Sequence, residues 1–252
     1  MMPEDYRREH AVSFALAAGA YERGRPPYPA EAIDWLLPDG AQRVLDLGAG
    51  TGKLTRLLLG RGLTVTAVEP LAEMREQLRR AVPGVPALAG TAEQIPLPDA
   101  SADAVLVAQA WHWVDLPAAV PEVARVLSPG GCLGLLWNVR DEREEWVARL
   151  GEITRRREGA HASSRRISEA PVVGPPFGPV ERRDVAWVHH LTPAGLTDMI
   201  ASRSYVITLP APVREQMFAE VDDLLRTHPA LAGVSEIALP YVTRCSRARL
   251  GG

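Results

Sequence analysis

Lysine is nearly missing from this chain: of 28 basic residues, Lys53 is the one lysine and the others are arginine. Alanine, proline and glycine are abundant alongside, so the skew reads as compositional bias of the coding sequence and not as phosphate recognition. A positive surplus is missing too. The formal net charge is −3, which excludes a whole-molecule basic field for gripping nucleic acid or an anionic membrane and leaves local patches open. Arg155-Arg156-Arg157 with Arg165 and Arg166 forms the one basic cluster; it follows an acidic stretch and reads as a solvated helix end. Cysteine is scarce. Cys132 and Cys245, 113 residues apart, make neither a disulfide scaffold nor a zinc site. No apolar run approaches the roughly 20 residues of a membrane span, and Met1 to His10 is charged and polar, unlike a secretory signal. Together these absences predict a cytoplasmic enzyme or binding protein with neither membrane nor nucleic acid as partner.

What is present is a chain of 252 residues, 46% hydrophobic and 23% charged, able to bury a sizeable core. From about residue 43, short β-branched runs alternate with helical patterns, the signature of a parallel sheet. Strands are expected at Arg43–Leu47, Leu63–Val68, Val85–Ala89, Ala102–Ala108 and Cys132–Asn138, with helices at Lys53–Leu59, Leu71–Ala81 and Pro117–Leu127. Pro86 weakens the third strand. Beyond Asn138 the texture changes. Arg140–Arg157 reads as a charged helix, Glu158–Pro179 as loop, Val185–Leu191 as strand, and Thr192-Pro193 as the cap and first turn of a helix. Pro212–His228 reads as helix and Glu236–Arg247 as a last strand. The simplest partition is a single domain with an N-terminal segment (1–39), a core (40–138), a lid or substrate insertion (139–235) and a returning strand and tail (236–252).

The chemistry concentrates in Val44-Leu-Asp-Leu-Gly-Ala-Gly-Thr-Gly52, between a strand and a helix. Glycines at 48, 50 and 52 allow a tight turn and close backbone approach to a ligand, and the helix N-terminus adds a positive dipole end. Glu69 follows Gly48 by 21 residues at the end of the second strand, where a carboxylate in an open parallel sheet can accept from ribose hydroxyls. A Walker loop needs Ser or Thr after Gly-Lys, and Leu54 follows Lys53. A dinucleotide turn spaces its glycines G-x-G-x-x-G, and Lys53 stands where the third glycine belongs. Asp46 would repel a pyrophosphate and attract an ammonium group.

This segment resembles the first motif of class I S-adenosylmethionine-dependent methyltransferases. Val68-Glu-Pro70, Gly90–Asp99, Ala108–Trp113 and Val123–Gly131 are similar, in order, to the family's later motifs. Tyr21-Glu-Arg-Gly-Arg-Pro-Pro-Tyr-Pro29 resembles the N-terminal segment of small-molecule members of the trans-aconitate methyltransferase type. The resemblance implies a Rossmann-like α/β fold, a seven-stranded and mostly parallel sheet with an antiparallel last strand and helices on both faces. It implies S-adenosylmethionine as cofactor, S-adenosylhomocysteine as product, and a small-molecule acceptor. Asp46, Gly48, Ala49 and Gly50 would face the methionine portion, Glu69 the ribose diol, and Pro70, Thr91, Ala92 and Glu93 the adenine. Gln109, Ala110 and Trp111 would lie near the sulfonium, with Tyr21 and Arg25 as a clasp. The family's antiparallel last strand beside strand five would also bring Cys132 and Cys245 together as free thiols.

His112, with a pKa suited to neutral pH, is the candidate general base for an O–H acceptor; hydrogen bonding or packing is the competing role. Trp111 and Trp113 either wall the pocket or pack the core. Asn138, polar after six apolar residues, reads as pocket lining. Arg203 and Tyr205 either meet an anionic substrate or, for Arg203, form a structural salt bridge. His189 and His190 are adjacent in a strand and point to opposite faces, so no metal site is expected. Oxygen methylation is the first expectation for a monomer or homodimer. C- or N-methylation, a nicotinamide-dependent oxidoreductase and a catalytically silent cofactor-binding protein are the rivals.

Overall fold

The computed structural model describes residues 25–158, 171 and 173–251. Among them, one sheet contains β1 (Arg43–Leu47), β2 (Thr64–Val68), β3 (Ala87–Leu88), β4 (Ala102–Ala108), β5 (Leu127–Arg140), β6 (Glu181–Leu191) and β7 (Ile237–Arg249). Their order is β3-β2-β1-β4-β5-β7-β6. β1 through β5 pair in parallel, and β7 runs antiparallel to both neighbours, β5 and β6. The helices are α1 (Ala30–Leu36), α2 (Lys53–Leu59), α3 (Ala72–Ala81), α4 (Leu116–Val126), α5 (Glu145–Glu158), α6 (Pro193–Ala201), α7 (Ser204–Ile207) and α8 (Ala211–Thr227).

Period-two alternation divides the central strands between two apolar cores. Leu45, Val105, Val107, Leu133 and Leu135 point to the face covered by α4, where Val120, Val123 and Val126 meet them. Val44, Ala104, Leu106 and Leu136 point to the opposite face, under Ile33 and Leu36 of α1 and Leu54 and Leu58 of α2. Gly134 makes this second layer possible. A Cβ there would stand 2.5 Å from Leu106 Cδ2 and 3.2 Å from Leu36 Cδ2, so a side chain would push α1 off the sheet. A third core lies over the distal parts of β6 and β7. Leu150, Leu196, Met199, Met217, Val221 and Leu224 pack there with Tyr241.

Several boundaries move from the sequence reading. The third strand shrinks to two residues. Pro86 still accepts from Ala67 N through its carbonyl but has no N–H to return, and pairing is confined to Ala87 and Leu88. β5 runs past Asn138 to Arg140, which lies opposite Tyr241. The helix expected from Arg140 therefore begins at Glu145. β6 starts four residues early, at Glu181, and β7 extends to Arg249. The Thr192 cap forms as expected, its hydroxyl accepting from Gly195 N at 3.0 Å.

The longer β7 also corrects the cysteine pairing. β7 does lie beside β5, but Cys132 stands opposite Arg249 and Cys245 opposite Leu136. Four strand residues, about 13 Å, separate the two positions. Both thiols are free and buried. Burial pushes the Cys132 thiol up and the Cys245 thiol to about 12. At pH 8 the native protein is expected to resist a thiol reagent such as dithiobis-nitrobenzoate at both positions, and to release two equivalents of thiol on denaturation. Rapid native labelling of Cys245 would contradict the packing.

Candidate active site

The strand order reverses between β1 and β4, and the crevice at that switch point is where open parallel sheets bind ligands. A cleft enclosing about 540 Å³ of empty space, its open mouth included, occupies this position. Its floor is the glycine turn after β1. Gly48, Gly50 and Gly52 have φ of 72°, 56° and 88°, in the left-handed region that favours glycine. Gly48 also passes close to the end of β4, since a Cβ on it would lie 3.0 Å from Ala110 Cβ. Gln109, at the same strand end, adopts φ 59° without being glycine. Backbone strain of this kind concentrates at functional sites.

Asp46 is completely buried. As an even position of β1 it points toward α2, where the Thr55 hydroxyl donates to its Oδ2 at 2.6 Å. Its Oδ1 is buried without a hydrogen-bond partner, and Asp46 lines the cleft. Burial, then the negative charge of Glu69, raises its pKa to about 7 against the lowering effect of Thr55. Glu69 is buried as well. Its Oε2 accepts from Gly50 N and its Oε1 from Leu71 N, each at 3.0 Å. Burial raises its pKa in spite of those bonds and of Arg75. A pair of buried acids thus supports the glycine turn, and one of them, Asp46, lines the cleft with an oxygen unsatisfied.

The walls come from farther along the chain. Arg25, Pro26 and Tyr28 close one side, Ala108, Gln109 and Asn138 another, and Lys53 and Arg203 complete the ring. Asn138 organises its side of the wall. Its Nδ2 donates to the Pro27 carbonyl at 2.8 Å, and its Oδ1 accepts from the Thr243 hydroxyl at 2.6 Å. Thr243 in turn accepts from Trp187 Nε1 at 2.9 Å. This chain of bonds ties the N-terminal segment to β5, β7 and β6.

The expected site residues divide accordingly. Arg25, Asp46, Gly48, Ala49, Gly50, Gln109, Asn138 and Arg203 surround one cleft. Glu69 and Ala110 touch its floor through Gly50 and Gly48. Pro70 follows on the exposed end of β2. Thr91 closes a small loop with Gln94, and Ala92 is buried against the α4-side core. Glu93 Oε1 accepts from Asp115 N at 2.8 Å, an engagement at the start of α4. Trp111 is in the core. His112 and Trp113 sit in the short 3-10 turn after β4, ring centroids 4.8 Å apart, and do not contribute to the cleft lining. Tyr205 packs beside the helical core. Tyr21, Arg165 and Arg166 lie outside the described residues. His189 packs near Tyr241, whereas His190 meets Glu236 at 3.0 Å, on opposite faces of β6.

Comparison with known proteins agrees with this geometry. Residues 45–135 match the family model described as a methyltransferase domain. A Mycobacterium tuberculosis protein named only as an uncharacterized methyltransferase is 59% identical over 97% of this chain and 98% of its own. The chain belongs to the class I S-adenosylmethionine-dependent methyltransferases. A methyltransferase-like protein of Schizosaccharomyces pombe is 35% identical over 92% of this chain and 93% of its own. Among solved structures, that of a proposed type II methyltransferase from Anaeromyxobacter dehalogenans superimposes with a TM-score of 0.65. It is 26% identical over 90% of this chain and 98% of that one.

The residues of this methyltransferase fit its cofactor. The unsatisfied Asp46 oxygen suits a cationic group, and the side-chain-free approach over Gly48 and Gly50 leaves room for one. Sequence reasoning missed Thr55, Tyr28 and Thr243 as parts of the site. Thr55 carried a weak signal, a hydroxyl in the first turn of the helix that follows the glycines. Thr243 carried none, because its partner Asn138 is 105 residues away. Lys53 was legible as a departure from a dinucleotide turn but not as a cleft wall.

Asp46 makes ligand-free stability depend on pH. Its folded pKa is about 7, against 3.8 as the ordinary value. Between those values the native state holds a proton that the unfolded chain has lost, so the proton's stabilisation is complete at acid pH and disappears as pH rises through 7. This group alone is expected to remove roughly 2–3 kcal/mol between pH 5 and pH 8. Denaturant unfolding at the two pH values checks it. Asp46→Asn, which can still accept from Thr55, should flatten the difference.

Proposed function

We propose that this methyltransferase transfers a methyl group from S-adenosylmethionine to an oxygen of a small-molecule acceptor. Residues 40–138 hold the cofactor, and residues 139–235 supply most of the acceptor side. The observation that carries this reading is the unsatisfied buried Asp46 oxygen in a glycine-floored cleft beside Glu69. When bound, the cofactor supplies a methyl group already activated by its sulfonium. The protein's task is then orientation and exclusion of water more than acid–base work.

Each residue has a part in that task. Asp46 attracts the cofactor's ammonium group, and Glu69 offers its remaining lone pairs to the ribose diol while fixing Gly50 and Leu71. Pro70, Thr91, Ala92 and Glu93 form the adenine end. Gln109, held by Gln109 N donating to Leu136 O at 2.9 Å, and Ala110 form the sulfonium end. Asn138 positions the Pro26–Tyr28 segment over the cleft through the Pro27 carbonyl. Support for His112 as a base is limited to its place just past β4, and an acceptor that arrives ionised needs none.

S-adenosylhomocysteine is expected to raise the melting temperature and NAD to leave it unchanged, because only a ligand of the native state stabilises it. Stabilisation by NAD alone would end the reading. Glu69→Ala should weaken S-adenosylhomocysteine binding by roughly 1–3 kcal/mol, about 5- to 150-fold in Kd by calorimetry. Product analysis with isotope-labelled cofactor then identifies the acceptor atom. A methyl group on carbon or nitrogen would replace the oxygen assignment.

A further inference from the structure

We propose that the acceptor is an anion, held through a carboxylate or phosphate group by Arg203 in the cleft wall, with the neighbouring Arg140 adding to the local positive potential. The inference rests on the methyltransferase reading and names the acceptor class within the same site. Arg203 lies in the link between α6 and α7 and lines the cleft whose floor is the glycine turn. A structural salt bridge would have explained it. Among the described residues its guanidinium has no such partner, whereas Arg43, Arg61, Arg125, Arg183 and Arg247 each have a carboxylate.

Its neighbour deepens the imbalance. Arg140 ends β5 opposite Tyr241, and among the described residues its NH2 donates to a neutral group, the Thr154 hydroxyl, at 3.0 Å. Burial and then the like charge of Arg203 depress the pKa of Arg140, which places the two guanidiniums within electrostatic reach. Tyr241 and Tyr205 offset this more than Glu142 does, and Glu142 is committed to an ion pair with Arg155. Lys53 enters the same cleft from α2, and its charge, after burial, lowers the pKa of His189 on β6. A wall of like charges is unfavourable by itself and becomes favourable around an anion. Arg provides the planar, two-pronged donor geometry that carboxylates and phosphates match.

The lining of the cleft therefore carries both signs. Asp46 suits a cationic cofactor, and Arg203, with Arg140 in its electrostatic reach, supplies positive charge. A neutral acceptor would leave Arg203 without a counter-charge among the described residues. The same charge attracts an anionic acceptor toward the electrophilic methyl and lets an ionised oxygen approach without a base.

Calorimetry on protein saturated with S-adenosylhomocysteine tests this, with succinate and phenyl phosphate as anionic probes and dimethyl succinate and phenol as neutral counterparts. At low ionic strength at least one anion should bind tenfold or more tightly than its neutral counterpart. A preference for succinate assigns a carboxylate handle, and one for phenyl phosphate assigns a phosphate handle. Arg203→Gln should weaken the preferred anion at least tenfold and change the Kd of S-adenosylhomocysteine less than twofold, with Arg203→Lys recovering part of the loss. Equal binding of charged and neutral probes, or no binding of either anion, would overturn the proposal. So would an Arg203→Gln variant that loses S-adenosylhomocysteine instead, since Arg203 would then serve the cofactor's own carboxylate. Failure of the unaltered protein to bind S-adenosylhomocysteine would instead remove the methyltransferase reading beneath it.

Discussion

The site is organised around one buried carboxyl group. Asp46 is taken out of water on a central strand, and only one of its two oxygens receives a hydrogen bond from the protein. Leaving a buried acceptor unmet costs about 1–3 kcal/mol, and more when it is ionised. The surroundings keep that cost in place. The alternation of β1 aims the carboxylate under α2, Thr55 fixes its orientation, and Glu69 adds repulsion from the next strand. The glycine turn closes above it because Val68 O accepts from both Gly48 N and Ala49 N, and Glu69 accepts from Gly50 N. A cationic ligand resolves what the protein alone leaves unresolved.

The remainder of the chain is built outward from the same sheet. β5 and β7 are unusually long, 14 and 13 residues, against the five-residue β1 and β2. Their extra length carries the sheet past the cofactor crevice and, with β6, gives α5, α6 and α8 an apolar surface to cover. Tyr241 sits in that surface, stacked on Trp187 at 5.3 Å and donating its hydroxyl to Met199 Sδ. On the same cross-strand row is Arg140. The strand extension thus stabilises the helical half and brings Arg140 within electrostatic reach of Arg203.

The cofactor half was legible because its signals are local. Val44–Gly52 contains the strand, the turn and the buried acid in nine consecutive residues, and Glu69 falls where the next strand must end. The α2 and β4 boundaries matched to the residue for the same reason. The acceptor half was opaque because its contacts are remote. Asn138 reads as a polar residue ending an apolar run, but its partners Pro27 and Thr243 are more than a hundred residues away on either side. Arg140 looked like the start of a charged helix, since composition does not reveal that β7 pairs with it. The cysteine pairing failed on the same point. The last strand ends two residues later than expected, and its register sets Arg249, not Cys245, opposite Cys132. Trp111 shows a further limit: an indole next to a crevice and an indole beneath it have the same sequence signature.

Asn138 grips the Pro27 carbonyl, a backbone group that every amino acid possesses. The attachment of the N-terminal segment is therefore blind to the side chains at 26, 27 and 28, two of which border the cleft. Those positions can drift under selection for a new acceptor while the anchorage persists. Thr243 and Asn138 have no such freedom, because their side chains are the fastening itself. Divergence among proteins of this architecture should then be uneven, permissive along the covering segment and restrictive at the two side chains that fasten it.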